Sequence, residues 1–280
     1  MSKFLDIVLN RNCNLNCKYC CQLAPSYKSN PELYDIETYE KDIKLLKDKN
    51  LIYDYYTFLG GEILLVENLL DYLTIFRKYY PTQDCCIFTN GLYLKKIFKN
   101  NIDFFKKLKE LNIYIKYSAY PHIDLSIIDE IKRFDVRCVN FELIVSMIKK
   151  SGVCNYGTEK VFTHPFISEQ PKYDKNVNFQ MCCENKNCST KNFIYNCLDK
   201  SIIHLCCGSV SLKSIIEKFN LNISCDSYID LKDLNSDRMY ISEPFNICSY
   251  CTMNTKDIVA DKWSKYTNSE EIKKIDYVLI

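Results

Sequence analysis

The sequence predicts an α/β chain: a partial (β/α)5-6 parallel barrel followed by a small cysteine-rich α+β domain. Three observations predict it. Over roughly the first 165 residues, short apolar runs alternate with stretches of helical periodicity, the pattern of βαβ units on a parallel sheet. At about 30 residues per unit, that stretch holds five or six units, not the eight of a closed barrel. From about Gln180 helical periodicity fades, and nine of the 17 cysteines fall between Cys182 and Cys251. The expected division is 1–175 for the barrel, 176–262 for the cysteine-rich domain and 263–280 for a C-terminal tail.

Each element has a local reason. Phe4 to Leu9 is the first strand. Ile36, Tyr39, Ile43 and Leu46 recur at helical spacing, with Asp35 as N-cap and Glu40–Lys44 as an i,i+4 pair. Tyr55 to Leu59 is the second strand, and Val66 to Tyr79 a helix stopped by Pro81. Cys85 to Thr89 is the third strand, with Cys85 and Cys86 facing opposite sides, and it runs into an Asn90-Gly91 turn. A helix over 94–111, a strand over Ile113 to Ala119, a helix over Leu125 to Phe134 and a strand over Arg137 to Val145 follow. Lys160 to Phe166 is a candidate sixth strand, and Leu212 to Phe219 a late helix.

Composition bounds the function. The 280 residues are 47% apolar, enough for a core. Lys and Arg number 37 against 35 Asp and Glu, a net charge of +2, which argues against charge-driven binding to nucleic acid or to an anionic membrane. No apolar run approaches the roughly 18 residues of a membrane span, and the N-terminus carries no signal-peptide core. The chain therefore reads as soluble and cytoplasmic. In such a compartment 17 cysteines point to metal rather than to disulfides. The 22 tyrosines follow a compositional bias along the whole chain and are not read as a stacking platform.

The strongest local signal is Cys13-Asn-Leu-Asn-Cys17-Lys-Tyr-Cys20, directly after the first strand. Ligands bind at that end of a parallel α/β sheet. Three thiolates so spaced can wrap a four-iron cubane and leave its fourth iron without a protein ligand, a site open for chemistry. Zinc, or thiols that merely lie close together, is the alternative reading of the triplet by itself.

C-x3-C-x2-C after the first strand resembles the signature of the radical S-adenosylmethionine (radical SAM) superfamily, and Tyr19 supplies the aromatic residue before the third cysteine. Gly60-Gly61-Glu62 follows the second strand, where that family has Gly-Gly-Glu, although Ile63 stands where proline is common. The resemblance implies glycines that admit the methionine part of the cofactor and a Glu62 charge near its amino group. Thr89-Asn90-Gly91 resembles the family's Thr-Asn-Gly, so Asn90 joins the cofactor residues; a plain Asn-Gly turn is the alternative. Ser118, ending the fourth strand, stands where the family has a serine near the cofactor ribose. The family's chemistry would then be reductive cleavage of S-adenosylmethionine at a [4Fe-4S] cluster, followed by hydrogen abstraction from substrate.

Some members of the family carry a C-terminal SPASM or shortened twitch domain with the pattern C-x(9–15)-G-x4-C and a later C-x2-C. Cys188, Ser201 in the glycine position, and Cys206 resemble its opening, and Cys248 with Cys251 the later pair. The resemblance implies a second [4Fe-4S] cluster on Cys188, Cys206, Cys248 and Cys251; a tetrahedral zinc site is the alternative. No cysteine follows Cys251, so the one-cluster twitch form is the better match. Four protein ligands leave no open iron, so such a cluster would carry electrons. The remaining cysteines read as small buried residues, and His122, His164 and His204 carry no assignment.

The reading is a radical SAM oxidoreductase acting on a small sugar-like or alcohol metabolite, with the auxiliary cluster as electron acceptor and a flavodoxin or ferredoxin as low-potential donor. A peptide-modifying radical SAM maturase is the alternative. It is disfavoured because Cys13 stands too near the start for a preceding peptide-recognition domain. A non-catalytic iron–sulfur or zinc protein is the alternative of another class. Substrate contacts are expected from the later strands, around Phe141, Glu142 and His164.

Overall fold

The computed structural model describes residues 2–18, 20–27, 32–120, 123–141, 167–172, 174–176, 193–206, 208–239, 244–251, 272–274 and 277–279. Tyr19, Cys188, His122, Glu142, His164 and the candidate strand at 160–166 lie outside the described residues.

The predicted βα alternation is present. β1 (Ser2–Asn10), β2 (Tyr55–Gly60), β3 (Asp84–Thr89), β4 (Tyr114–Tyr117) and β5 (Cys138–Asn140) lie side by side, every neighbouring pair parallel. The connecting helices are α1 (Ile36–Asp48), α2 (Leu69–Tyr79), α3 (Leu94–Asn100), α4 (Asp103–Glu110) and α5 (Ile127–Lys132). Asp35 caps α1 as expected, its carboxylate accepting from the Thr38 N–H at 2.9 Å.

Three local expectations need correction. Glu40 does not pair with Lys44. It accepts from Lys78 Nζ at 2.7 Å and from the Tyr79 hydroxyl on the adjoining α2, while Lys44 turns to Asp48. The helix expected over 94–111 is two helices, because Asn101 leaves helical geometry (φ −152°, ψ 71°). The helix expected from Val66 starts at Leu69, after a 3-10 turn at Ile63–Leu65 whose Leu64 N–H donates to the Glu62 carboxylate.

The sheet does not end with the barrel half. β7 (Phe193–Asp199) pairs with β1 in parallel, from Ser2–Phe193 to Ile7–Leu198. β8 (Ile202–His204) and β9 (Tyr228–Asp230) follow antiparallel, giving one eight-stranded sheet in the order β5-β4-β3-β2-β1-β7-β8-β9. The boundary expected at 175/176 thus falls between strands of a single sheet. Arg11, just past β1, is buried and ion-paired with Asp199 at the end of β7. α6 (Ser209–Lys218) follows β8. Residues 277–279, read from sequence as part of a tail, are not loose: Tyr277 and Val278 are fully buried, and β10 (Val278–Leu279) pairs in parallel with β6 (Ile167–Ser168). Among the described residues, no helix is long and apolar enough to cross a membrane.

Strand alternation sorts side chains to two faces. Leu5, Ile7, Tyr56, Phe58, Cys85, Ile87, Ile115 and Leu198 face the helices and join the main core. Many of the tyrosines are core residues: Tyr34, Tyr39, Tyr53, Tyr56, Tyr72 and Tyr80 are buried there, each with its hydroxyl oxygen hydrogen-bonded. The other face is concave. It carries Asp6, Thr57 and Cys86, with Val8, Leu59 and Phe88 one step further along the strands. Cys85 and Cys86 face opposite sides, as alternation requires.

Replacing Asp199 by alanine leaves Arg11 buried without its counter-ion, and is expected to cost about 3 kcal/mol in urea unfolding. A loss below about 1 kcal/mol would show that this pair does not hold β7 to β1.

Candidate functional site

The cysteine loop lies at the C-terminal end of β1, held from three directions. The first is β2. A Cβ on Gly60 would sit 2.1 Å from the Asn10 carbonyl oxygen, and one on Gly61 2.2 Å from that of Asn12. The missing side chains therefore leave room for the cysteine loop itself, whose carbonyls accept from Gly61 N–H (Asn10, 2.9 Å) and Glu62 N–H (Asn12, 2.7 Å).

The second is β3. Glu62 is buried, and its carboxylate accepts from the Leu64 N–H, the Thr89 hydroxyl (2.6 Å) and the Asn90 N–H (2.8 Å). Burial raises its pKa, and those three donors oppose the rise. Gly-Gly-Glu and Thr-Asn-Gly are thus one bracket. Asn90 goes further: its amide donates to Asn14 Oδ1 at 2.8 Å and approaches Cys13 Sγ at 3.9 Å. The Asn-Gly turn is present as well, with Gly91 at φ +82° and the Leu92 N–H on Asn90 Oδ1. Ser118 stands beside it, its N–H on the Thr89 carbonyl at 3.1 Å.

The third is a second core. Leu23 of the cysteine loop packs with Ile167, Leu212, Ile215, Ile247, Cys251 and Tyr277. The Cys20 N–H donates to the Tyr277 hydroxyl at 3.1 Å, and Ser211 on α6 donates to the Cys21 carbonyl at 2.6 Å. Tyr277 is invisible to sequence reasoning because 257 positions separate it from Cys20. Tyr120, which the motif reading does not single out, is half-buried near Cys17 and Cys20.

Cys13, Cys17 and Cys20 are all partly buried in this loop. Burial pushes the Cys13 thiol up to about 12, and Cys20 and Cys17 add to the rise. Among the described residues, no three His, Cys, Asp or Glu side chains stand close enough to share a single metal ion. A cubane asks for a wider triangle, because each of its irons takes its own thiolate.

Of the predicted auxiliary residues, only Cys251 is part of the second core among the described residues. Cys206 follows β8, Cys248 lies in a 3-10 turn at Asn246–Ser249, and the buried Cys251 bridges Ile167. Ser201, where the twitch pattern has glycine, is at φ +65° in the β7–β8 turn, the left-handed region that glycine suits. Its N–H donates to the Tyr34 hydroxyl and its Oγ to Asp42, which offsets the strain.

The model of the Radical SAM superfamily matches residues 7–158, more than half of the chain, and the chain belongs to that superfamily. It is a radical SAM enzyme. It is similar to the GTP 3',8-cyclase of Helicobacter pylori (strain ATCC 700392 / 26695), at 26% identity over 98 residues, 35% of this chain. The match spans only 30% of that relative's length. Among solved structures it is similar to BtrN in complex with AdoMet and 2-DOIA (15% identity, 85% of this chain and 82% of that one, TM-score 0.46). Others are native anSMEcpe with bound AdoMet (15%, 91% and 84%, TM-score 0.49) and Streptococcus suis SuiB bound to S-adenosylmethionine (13%, 86% and 66%, TM-score 0.42).

The superfamily implies a [4Fe-4S] cluster and S-adenosylmethionine, and the residues present fit them. Three soft thiol donors share one loop, where a metal would make thiolates of thiols that burial alone keeps protonated. Beside Cys13, the buried Asn14 Nδ2 has no hydrogen-bond partner, a donor available to a sulfide or a carboxylate.

Two predictions follow from this geometry. Gly61→Ala drives a methyl into the Asn12 carbonyl, so iron bound per chain after anaerobic reconstitution is expected to fall at least severalfold; iron retained at the wild-type level would show that the close approach does not place the loop. Asp6 is the second case. Burial raises its pKa from 3.8 to about 6, against opposing hydrogen bonds from Tyr195 and Thr57 and the charge of Lys116. A carboxyl raised in the folded state stabilises below its unfolded pKa and loses that contribution as pH climbs through 6, here about 3 kcal/mol. Asp6→Asn is expected to remove that fall between pH 4 and 7 in denaturant titrations; an unchanged slope would overturn the assignment.

Proposed function

We propose that the chain is a radical SAM oxidoreductase that oxidises a small alcohol or sugar-like metabolite and passes the second electron to an auxiliary [4Fe-4S] cluster. Cys13, Cys17 and Cys20 would hold the catalytic cluster, with Tyr19, Gly60, Gly61, Glu62, Asn90 and Ser118 around the cofactor. Cys188, Cys206, Cys248 and Cys251 would hold the auxiliary one. Together the catalytic cluster and S-adenosylmethionine supply a hydrogen-abstracting radical. The chain's own part is to orient the cofactor, exclude water and carry electrons onward.

The observation that carries the oxidative reading is the short connection between the two cysteine sets. The Cys20 N–H donates to the Tyr277 hydroxyl, the Tyr277 carbonyl accepts from the Ile167 N–H at 3.3 Å, and Ile167 bridges Cys251. A cluster on Cys251 would thus share one packed core with the loop of the first, an arrangement suited to electron transfer. A flavodoxin or ferredoxin would supply the initiating electron, and residues 1–175, 176–262 and 263–280 would be the cluster-binding barrel, the auxiliary domain and a terminal segment.

Metal analysis after anaerobic reconstitution tests the reading. About eight irons per chain, falling to about four in Cys248→Ala/Cys251→Ala, is the expected result. About four irons with one zinc would remove the internal electron acceptor and turn the search to isomerases and lyases. With dithionite and S-adenosylmethionine, the loaded protein is expected to form 5′-deoxyadenosine; none formed at full iron content would favour a non-catalytic protein.

A further inference from the structure

The concave face of the sheet is built in layers, and strand register identifies them. At the top, past the strand ends, stand Asn10, Asn90 and Ser118. The layer beneath holds Val8 paired with Leu59, and Phe88 paired with Lys116. Below that come Asp6 paired with Thr57, Thr57 with Cys86, and Cys86 with Tyr114. Ile115 faces the helices in the main core, so Lys116 is turned to the concave side, and its Nζ stands 5.8 Å from the Phe88 ring centroid and 5.7 Å from that of Phe141.

A cation in that layer calls for a counter-charge. Lys116 is half-buried beside an apolar cluster of Val8, Leu59, Phe88, Cys197 and Val210, which offers it no opposite charge. Among the described residues, no carboxylate lies within ion-pair distance of Lys116, whereas surface lysines 44, 78, 95, 106, 107 and 132 each have one. Asp6, one layer below, feels the charge of Lys116, but its contact is with the Tyr195 hydroxyl, and Asp199 is paired with Arg11. The two phenyl rings hold the lysine stem and favour its positive charge, but they donate no negative one.

We propose that Lys116 is the anchor for an anionic group, phosphate or carboxylate, of the small substrate, held on the concave face one layer below Asn90 and Ser118. This deepens the proposed function and rests on it. An ammonium with three donors suits either anion as a point charge. The anion would be bound where apolar walls strengthen the attraction, and an uncharged polyol would leave Lys116 without a partner.

The test uses wild-type protein with its clusters reconstituted and S-adenosylmethionine bound. Reductive methylation is followed by peptide mass spectrometry at Lys116 and at the exposed Lys106, in inorganic phosphate, acetate or chloride at equal ionic strength. Phosphate or acetate is expected to slow labelling of Lys116 about fivefold at about four times its Kd, leaving Lys106 unchanged. Protection by phosphate alone points to a phosphorylated substrate, and protection by acetate to a carboxylate. Equal labelling of Lys116 in all three salts overturns the proposal. Formation of 5′-deoxyadenosine by the same preparation reports separately on the radical SAM reading, so the two failures are distinguishable.

Discussion

At the open end of the sheet, backbone has to touch backbone. β2 ends in Gly60 and Gly61, and the carbonyls of Asn10 and Asn12 occupy the space that their side chains would take. Two peptide hydrogen bonds close the contact, Gly61 to Asn10 and Glu62 to Asn12. The placement of all three cysteines depends on it, because the loop that carries them starts at those same carbonyls. A side chain at either position would force the loop outward by more than a local adjustment absorbs. Glu62 then ties this junction to β3 through Thr89 and Asn90, so one buried carboxylate keeps three strand ends in register.

The far side of the loop is governed by a different economy. Tyr277 and Ser211 hold it from segments some 190 to 260 positions downstream, and Leu23 of the loop packs into the core they share, so the later part of the chain walls the cysteine loop. The sheet expresses the same dependence. β7 continues it beyond β1, and the buried Arg11–Asp199 pair fastens the two where the cysteine loop begins. Losing either half would leave unpaired strand edges and a buried charge. Among the described residues, Cys251 is thereby packed in the same core as Leu23 of the cysteine loop.

The concave face shows how much a β-strand decides by alternation alone. One residue in two faces the helices and is apolar; its neighbours face the cavity and include Asp6, Thr57, Cys86 and Lys116. Two of them are charged groups of opposite sign. Asp6 is held near pKa 6 and is readily neutral. Lys116, between two phenyl rings, has no neutralising neighbour in contact. Their separation by one layer puts a cation nearer to Asn90 and Ser118, with a protonatable acid deeper.

Sequence by itself determined the order of strands and helices in the barrel half, the cap at Asp35, the opposed faces of Cys85 and Cys86, and the superfamily through three cysteines and a Gly-Gly-Glu. These are local matters: periodicity, capping chemistry and short spacings are set by residues within a turn or two of each other. Only the tertiary structure decided that Glu40 reaches Lys78, that β7 extends the first sheet, that Tyr277 meets Cys20, and that Lys116 stands between Phe88 and Phe141 with no carboxylate in contact among the described residues. Each of these joins residues distant in the chain, and no local pattern encodes such a meeting. It arises when apolar faces are buried together and the polar groups carried with them must find partners, or do without.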